Sequence, residues 1–336
     1  MNQTCRVALA FILAMLVSGV QAGERFIPAG KPVSNEWVSL AAPPFLGRIA
    51  CSGDGRSVLA VSRYGTVYHS RNEGRAWTMV KAFGSAMDVA LSYNGQKLIV
   101  VTADGLYQSR NGGLTWRKNP MSGVEGQIMG WSRVRCSADG NTIVASSGSR
   151  MAISTDAGIS WINGFPVGAG AVDVSADGKT IVALAYGFIY VSHDSGATWE
   201  DQAVMPPTTW FPDVTISGDG QTIIVLRAPF SESLNSSPVP GLSDGVYTSV
   251  DFGATWQPKF LPGVFWSRVV CSADASTLVA IPVYFFLTPF FMSRDGGESW
   301  QPQTQLVNGW LDAACSADGK VVYALDLSGL YVNRSK

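Results

Sequence analysis

The chain predicts an all-β fold: a seven-bladed β-propeller of four-stranded blades whose last blade is closed by the N-terminal strand. Three observations carry that expectation. A stretch of the form S-x-[DN]-x-G-x-x-W occurs six times, at Ser70, Ser109, Ser154, Ser192, Ser249 and Ser293. A five-residue marker of the form x-S-x-[DN]-[GA] occurs seven times, at Cys51, Leu91, Cys136, Val174, Ile216, Cys271 and Cys315, spaced 38 to 55 residues apart. Finally, Trp37 stands fifteen residues before Ser52, as Trp77 stands fifteen before Ser92. A period of about 40 residues with turn chemistry at two points per unit suits a propeller blade of about four short strands.

At the N-terminus Met1 to Arg6 is weakly basic, Val7 to Val17 is an apolar stretch of eleven, and Val20-Gln21-Ala22 forms a small-residue cleavage site. Residues 1–22 therefore read as a secretory signal peptide, too short to span a bilayer. Cys5 precedes the apolar run, so the lipoprotein pattern is missing. Residues 23–35 form a leader, and residues 36–336 a single seven-bladed propeller. The expected protein is a secreted or periplasmic monomer, with no membrane insertion after cleavage.

Blade two shows how each unit is built. Met87 to Leu91 reads as a strand, Ser92 to Gly95 as a tight turn, Lys97 to Thr102 as a second strand, Ala103 to Gly105 as another turn and Leu106 to Ser109 as a third strand. The Ser109 stretch then turns into a fourth strand at Thr115 to Lys118. Gly supplies the positive φ of such turns, and Asp or Asn bonds nearby backbone amides. The seventh unit runs out of chain after its third strand, Gly329 to Asn333, so the Trp37 segment is expected to complete it and remove a bare sheet edge.

Charge and metal-ligating residues exclude several functions. Lys and Arg number 24 against 25 Asp and Glu, and loss of residues 1–22 removes Arg6 alone, leaving 23 against 25. That balance offers no basic surface for nucleic acid. With two His and no CxxC among five Cys, neither a metal site nor a cofactor is expected.

The repeated S-x-[DN]-x-G-x-x-W resembles the Asp-box (BNR) repeat of sialidase-type, xyloglucanase-type, sortilin-type and photosystem II assembly-factor-type propellers, over about Glu36 to Lys336. The resemblance implies the propeller fold and puts these stretches on the face away from a ligand. Function stays open, because those relatives include hydrolases, receptors and assembly factors.

Cys51, Cys136, Cys271 and Cys315 occupy a repeat position filled elsewhere by Leu91, Val174 and Ile216, so they read as small core residues, free and buried. Adjacent sheets pack about 10 Å apart, wider than the roughly 7 Å limit for a disulfide.

Three residues before that position the blades carry, in order, Arg48, Asp88, Arg133, Ala171, Asp213, Arg268 and Asp312. Around a closed ring the sign alternates except at Ala171. Two residues earlier stand Trp131, Phe211, Trp266 and Trp310, with Trp210 beside Phe211. Placed on the strands nearest the axis, these residues would gather at one mouth of the central channel, as inter-blade ion pairs, as a polar, aromatic-rimmed binding site, or as both. The insertion from Arg227 and the apolar Ile281 to Phe291 stretch, with Tyr284 to Phe286, are expected on the same face.

The reading favoured is a non-enzymatic binding or assembly propeller that holds a protein segment or a glycan at this mouth, with no catalytic residue assigned. The alternative is a glycoside hydrolase of the sialidase type, with Arg48, Arg133 and Arg268 as an anion-binding cluster. Against it, an Asp on a neighbouring blade flanks each of these arginines.

Overall fold

The structure, a computed structural model, describes residues 37–121, 130–148, 150–164, 169–202, 211–227, 245–261, 266–283, 289–304 and 309–335. The signal peptide and leader assigned to residues 1–35 lie outside them. Among the described residues 28 strands and no helix form seven antiparallel sheets of four strands each. The first strands are Leu46–Cys51, Ala86–Leu91, Arg133–Cys136, Ala171–Val174, Val214–Ile216, Trp266–Cys271 and Trp310–Cys315, in blades one to seven. Each contacts the next around the ring, so together they surround the axis.

Blade seven closes as the spacing of Trp37 predicts. The Trp37–Leu40 strand pairs antiparallel with Leu330–Arg334, Trp37 opposite Asn333 and Leu40 opposite Leu330. The Trp37 ring meets Phe290 edge-on at 5.3 Å, and its Nε1 donates to Gln303 Oε1 at 2.9 Å. The last blade thus joins the two ends of the propeller.

The core lies between blades rather than within them. Val144, Met151 and Ile153 of blade three, for instance, pack against Val172, Val174 and Ile181 of blade four. Second strands such as Val58–Ser62 and Leu98–Thr102 are buried at every residue. Both faces of these strands are covered, so their sequences run apolar instead of alternating.

Two kinds of turn recur, a five-residue turn in all seven sheets and an eight-residue turn in six of them. In the eight-residue turn after Ser192, Gly196 N donates to Ser192 Oγ at 2.8 Å, Thr198 N donates to Asp194 Oδ1 at 2.8 Å, and Trp199 Nε1 donates to the Gly196 carbonyl at 3.0 Å. Ser195 and Gly196 are both left-handed, with φ of 61° and 91°, the second being where only Gly recurs. Hydrogen bonds from Thr198 hold the Asp194 carboxyl down to about 2. The carboxylates of these turns are therefore consumed by the turns themselves.

The five-residue turns between first and second strands carry a feature that the sequence reading missed. The backbone N–H of Gly53 donates to the Tyr93 carbonyl, Tyr93 to Ala138, Ala138 to Ala176, Ala176 to Gly218, Gly218 to Ala273, Ala273 to Ala317 and Ala317 back to Gly53, all at 2.7 to 2.9 Å. This closed ring passes once through every blade. Its sequence signal is Gly or Ala at that place in six of seven markers. Crowding explains it at Gly53, where a Cβ would fall 2.0 Å from the Tyr93 ring.

Two expectations need correction. The fourth strand of blade two is only Arg117–Lys118, because Thr115 N is held by Asn111 Oδ1 within the preceding turn. The four described cysteines are free and pack against the inter-blade core, as expected, but they are half-buried rather than fully buried.

Candidate binding site at the channel mouth

The first strands bring the predicted charges together in a buried belt around the axis. Asp88, Asp213, Asp312 and Arg268 are buried, while Arg48 and Arg133 are half-buried. Arg268 Nε lies 2.8 Å from Asp312 Oδ1 and 4.0 Å from Asp213 Oδ2. Arg133 Nη1 reaches Asp213 Oδ1, two blades on, at 3.7 Å.

The carboxylates also do something the charge pattern does not reveal. Each takes a backbone N–H from the first strand of the next blade: Asp312 from Ile49 at 2.9 Å, Asp88 from Val134 at 3.0 Å, Asp173 from Ile216 at 3.0 Å and Asp213 from Val269 at 3.1 Å. Inner strands of neighbouring blades share no ladder, so their edge amides need such acceptors when buried.

The belt differs from the prediction at three places. Arg48 approaches neither Asp312 nor Asp88 within 4.0 Å; its Nη1 donates to the Leu311 carbonyl at 3.2 Å. The expected opening at Ala171 is filled two residues on by Asp173, which lies 3.9 Å from Arg135 Nε. Arg135 also pairs with Asp88 at 3.0 Å. The belt thus holds four arginines and four aspartates, and the missed pair was legible as Arg133 plus two and Ala171 plus two. A strand returns to the same side every second residue.

The aromatic rim is the largest correction. Trp131, Phe211, Trp266 and Trp310 are 6%, 7%, 3% and 1% exposed, each inside an inter-blade core cluster, so none offers a face to a ligand. Trp310, for example, packs on Phe290 with ring centroids 4.5 Å apart. The register shifts between Trp266 and Arg268 and between Trp310 and Asp312 explain the error in blades six and seven. A bulge inserts a residue and turns the side chain before it away from the channel. Trp210, the Tyr284 to Phe286 stretch and most of the insertion after Arg227 lie outside the described residues.

Electrostatics separates the arginines. Burial lowers Arg133 to about 10, with Asp213 opposing and Arg268 reinforcing the shift. Arg48 is lowered by burial and by Arg268, which Asp312 only partly offsets. Arg135 faces the same burial, yet Asp88 and Asp173 raise it above the usual arginine value.

Exposed aromatics do exist on the channel-mouth face, from other residues. This face holds the starts of the first strands and the turns between second and third strands; the eight-residue turns sit on the opposite one. Phe45, just before the first strand of blade one, is 62% exposed, and Tyr64, in the next turn of that blade, is 69% exposed. Their rings meet edge-on at 5.5 Å. Leu327, in the second-to-third turn of blade seven, and Met87, at the start of the first strand of blade two, are also exposed on this face. Phe45 follows Pro44 with φ of 59°, in a turn position that ordinarily takes Gly or Asn. A left-handed backbone costs about 1–2 kcal/mol for a residue with a Cβ. Here that strain holds an aromatic ring in water.

No family model matches the chain, and no curated protein does. Solved structures are similar in fold. YCF48 bound to D1 peptide is 14% identical, with a TM-score of 0.65 over 92% of this chain and 99% of that one. YCF48 from Cyanidioschyzon merolae is 16% identical, with a TM-score of 0.60 over 89% of this chain and 98% of that one. The GH74 xyloglucanase from Xanthomonas campestris is 16% identical, with a TM-score of 0.64 over 90% of this chain and 54% of that one. The chain spans about half the length of that enzyme.

Proposed function

We propose that this chain is a non-enzymatic binding propeller of the Asp-box type, which holds a segment of a partner protein on its channel-mouth face. The observation that carries the reading is the Phe45–Tyr64 pair, exposed, edge-to-face and built on a left-handed backbone at Phe45. Strain of this kind marks functional positions. The two rings lie at 75° to each other, which suits an apolar side chain wedged between them better than a flat sugar. The protein-binding reading is also supported by the similarity of fold to a YCF48 that binds a D1 peptide.

Hydrolysis fits the same residues less well. A glycosidase needs two carboxylates facing its substrate, whereas each belt aspartate is hydrogen-bonded to a neighbouring blade. The N-terminal pattern of residues 1–22 supports a secreted or periplasmic setting, and a mature N-terminus at Gly23 on the exported protein would test it.

The functional test places a photo-crosslinking residue at Tyr64 or, on the opposite face, at Leu114. One discrete protein adduct from the native compartment is expected at position 64 and none at 114. Phe45→Gly should abolish it without loss of stability, since Gly relieves the left-handed strain while adding about 0.5–1 kcal/mol of unfolded-state entropy. Equal adducts on both faces, or binding and turnover of a glycan instead, would defeat the proposal.

A further inference from the structure

The belt is neutral as a whole and unevenly compensated. Arg135 has two carboxylates within reach, Asp88 and Asp173. Arg133 and Arg268 have two between them, Asp213 and Asp312, and Arg48 has none within 4.0 Å.

The hydrogen bonding of the belt is lopsided in the same sense. Every belt aspartate accepts at least one backbone N–H, but Nη1 of Arg133 and Nη1 of Arg268 are buried with no hydrogen-bond partner in the protein. Both guanidinium groups flank one carboxylate, Asp213, at 3.7 and 4.0 Å, and neither directs a hydrogen bond at it. The side chain of Arg268 is only 5% exposed, and that of Arg133, at 15%, keeps contact with solvent. Donors left unmade at such depth are expensive. Guanidinium donors bond an anion more strongly than a neutral oxygen, so an anion is the favoured acceptor.

We propose that the channel binds one small monovalent anion, a halide or a carboxylate, between Arg133 of blade three and Arg268 of blade six. The direction of the shift at Arg133 agrees, because burial and Arg268 together outweigh Asp213 there. The site does not depend on the partner reading: it lies inside the channel, and Phe45 and Tyr64 lie on the face.

Two measurements test it. Crystals of the full chain soaked in bromide should show an anomalous peak within hydrogen-bond reach of both Nη1 atoms. In solution, raising chloride from about 1 to about 300 mM at constant ionic strength, with bulky gluconate as the balancing anion, should raise Tm by roughly 2 to 4 °C, and Arg133→Gln should remove that dependence. Formate run in parallel separates the sources. A response to formate alone assigns the site to carboxylates, and a response to halide alone to inorganic ions. Absence of both a bromide peak and a formate-dependent rise in Tm, or a Tm that follows ionic strength whatever the anion, overturns the proposal. Should Arg133→Gln fail to fold, the bromide and formate experiments on the unaltered protein still decide.

Discussion

Asp312→Asn removes the charge of one belt aspartate while keeping its bond to the next blade. In the native protein Asp312 is fully buried, its Oδ2 accepts Ile49 N at 2.9 Å, and its Oδ1 lies 2.8 Å from Arg268 Nε. Asn keeps an oxygen for Ile49, gives up the Oδ1 that accepts Ala313 N at 2.9 Å and removes the charge, leaving Arg268 with Asp213 alone, at 4.0 Å. Both side chains are at least 95% buried, so solvent screening scarcely softens the loss. Breaking such a pair from one side costs about 3 to 5 kcal/mol. Asp312→Ala should cost about 1 to 3 kcal/mol more, by orphaning the Ile49 amide as well. Urea denaturation measures this as a lowered midpoint at unchanged m. The double variant Arg268→Gln with Asp312→Asn should recover much of the loss, a coupling of about 2 kcal/mol or more. If Asp312→Asn costs under about 1 kcal/mol, or the double variant is simply additive, Arg268 is compensated by something other than Asp312 and the belt is not an ion-pair structure.

Trp37→Ala should destabilise by roughly 2 kcal/mol, less than the 3 to 5 of a fully buried aromatic, because the ring is half-buried against Phe290; an unchanged Tm would disprove its part in closure. His69 should make stability depend on pH. Its Nδ1 donates to the Gly112 carbonyl at 3.1 Å and its Nε2 accepts from Ser57 Oγ at 2.6 Å. Burial, reinforced by Arg71, lowers its pKa below the usual 6.5. This contribution is complete above pH 6.5 and is lost as pH falls toward the folded value, since the unfolded chain takes up the proton first. His69→Gln, matching Gln108 of blade two, should flatten that slope in unfolding midpoints taken across the window. Finally, mass spectrometry of unreduced protein alkylated under denaturing conditions should find Cys51, Cys136, Cys271 and Cys315 all labelled. Labelling of the folded protein should be slow, with burial pushing Cys51 and Cys136 up to about 12. A bridged pair in the denatured sample contradicts the free thiols.

What could be read from the sequence is what short-range chemistry decides. Ser, Asp and Gly at fixed offsets specify the turns, because the bonds made by Ser192, Asp194 and Gly196 as acceptors in the Ser192 turn join residues within four positions of each other. Trp37 was placed by spacing alone, since blade seven lacked one strand. The pairing of Arg268 with Asp312 followed from opposite charges on adjacent blades. The direction of the aromatics was not legible, because it depends on where bulges interrupt the two-residue alternation, as between Trp310 and Asp312. Phe45 escaped notice for a similar reason: nothing in Pro-Pro-Phe-Leu announces a left-handed Phe, and only tertiary context holds it there. Arg135 and Asp173 were missed because one position per blade was compared, whereas the belt draws on two.

The ring of seven backbone hydrogen bonds from Gly53 to Ala317 and back has a consequence for how such a chain can diverge. It is drawn entirely from peptide groups, so any residue small enough to fit preserves it, and the spacing of the blades is indifferent to what the side chains above it become. It also counts: a chain that gained or lost one repeat would have to open the circuit and close another of different circumference. Drift in composition is therefore cheap and drift in blade number is not. The mouth, where Phe45 and Tyr64 stand, can be rewritten residue by residue while the scaffold beneath keeps its dimensions.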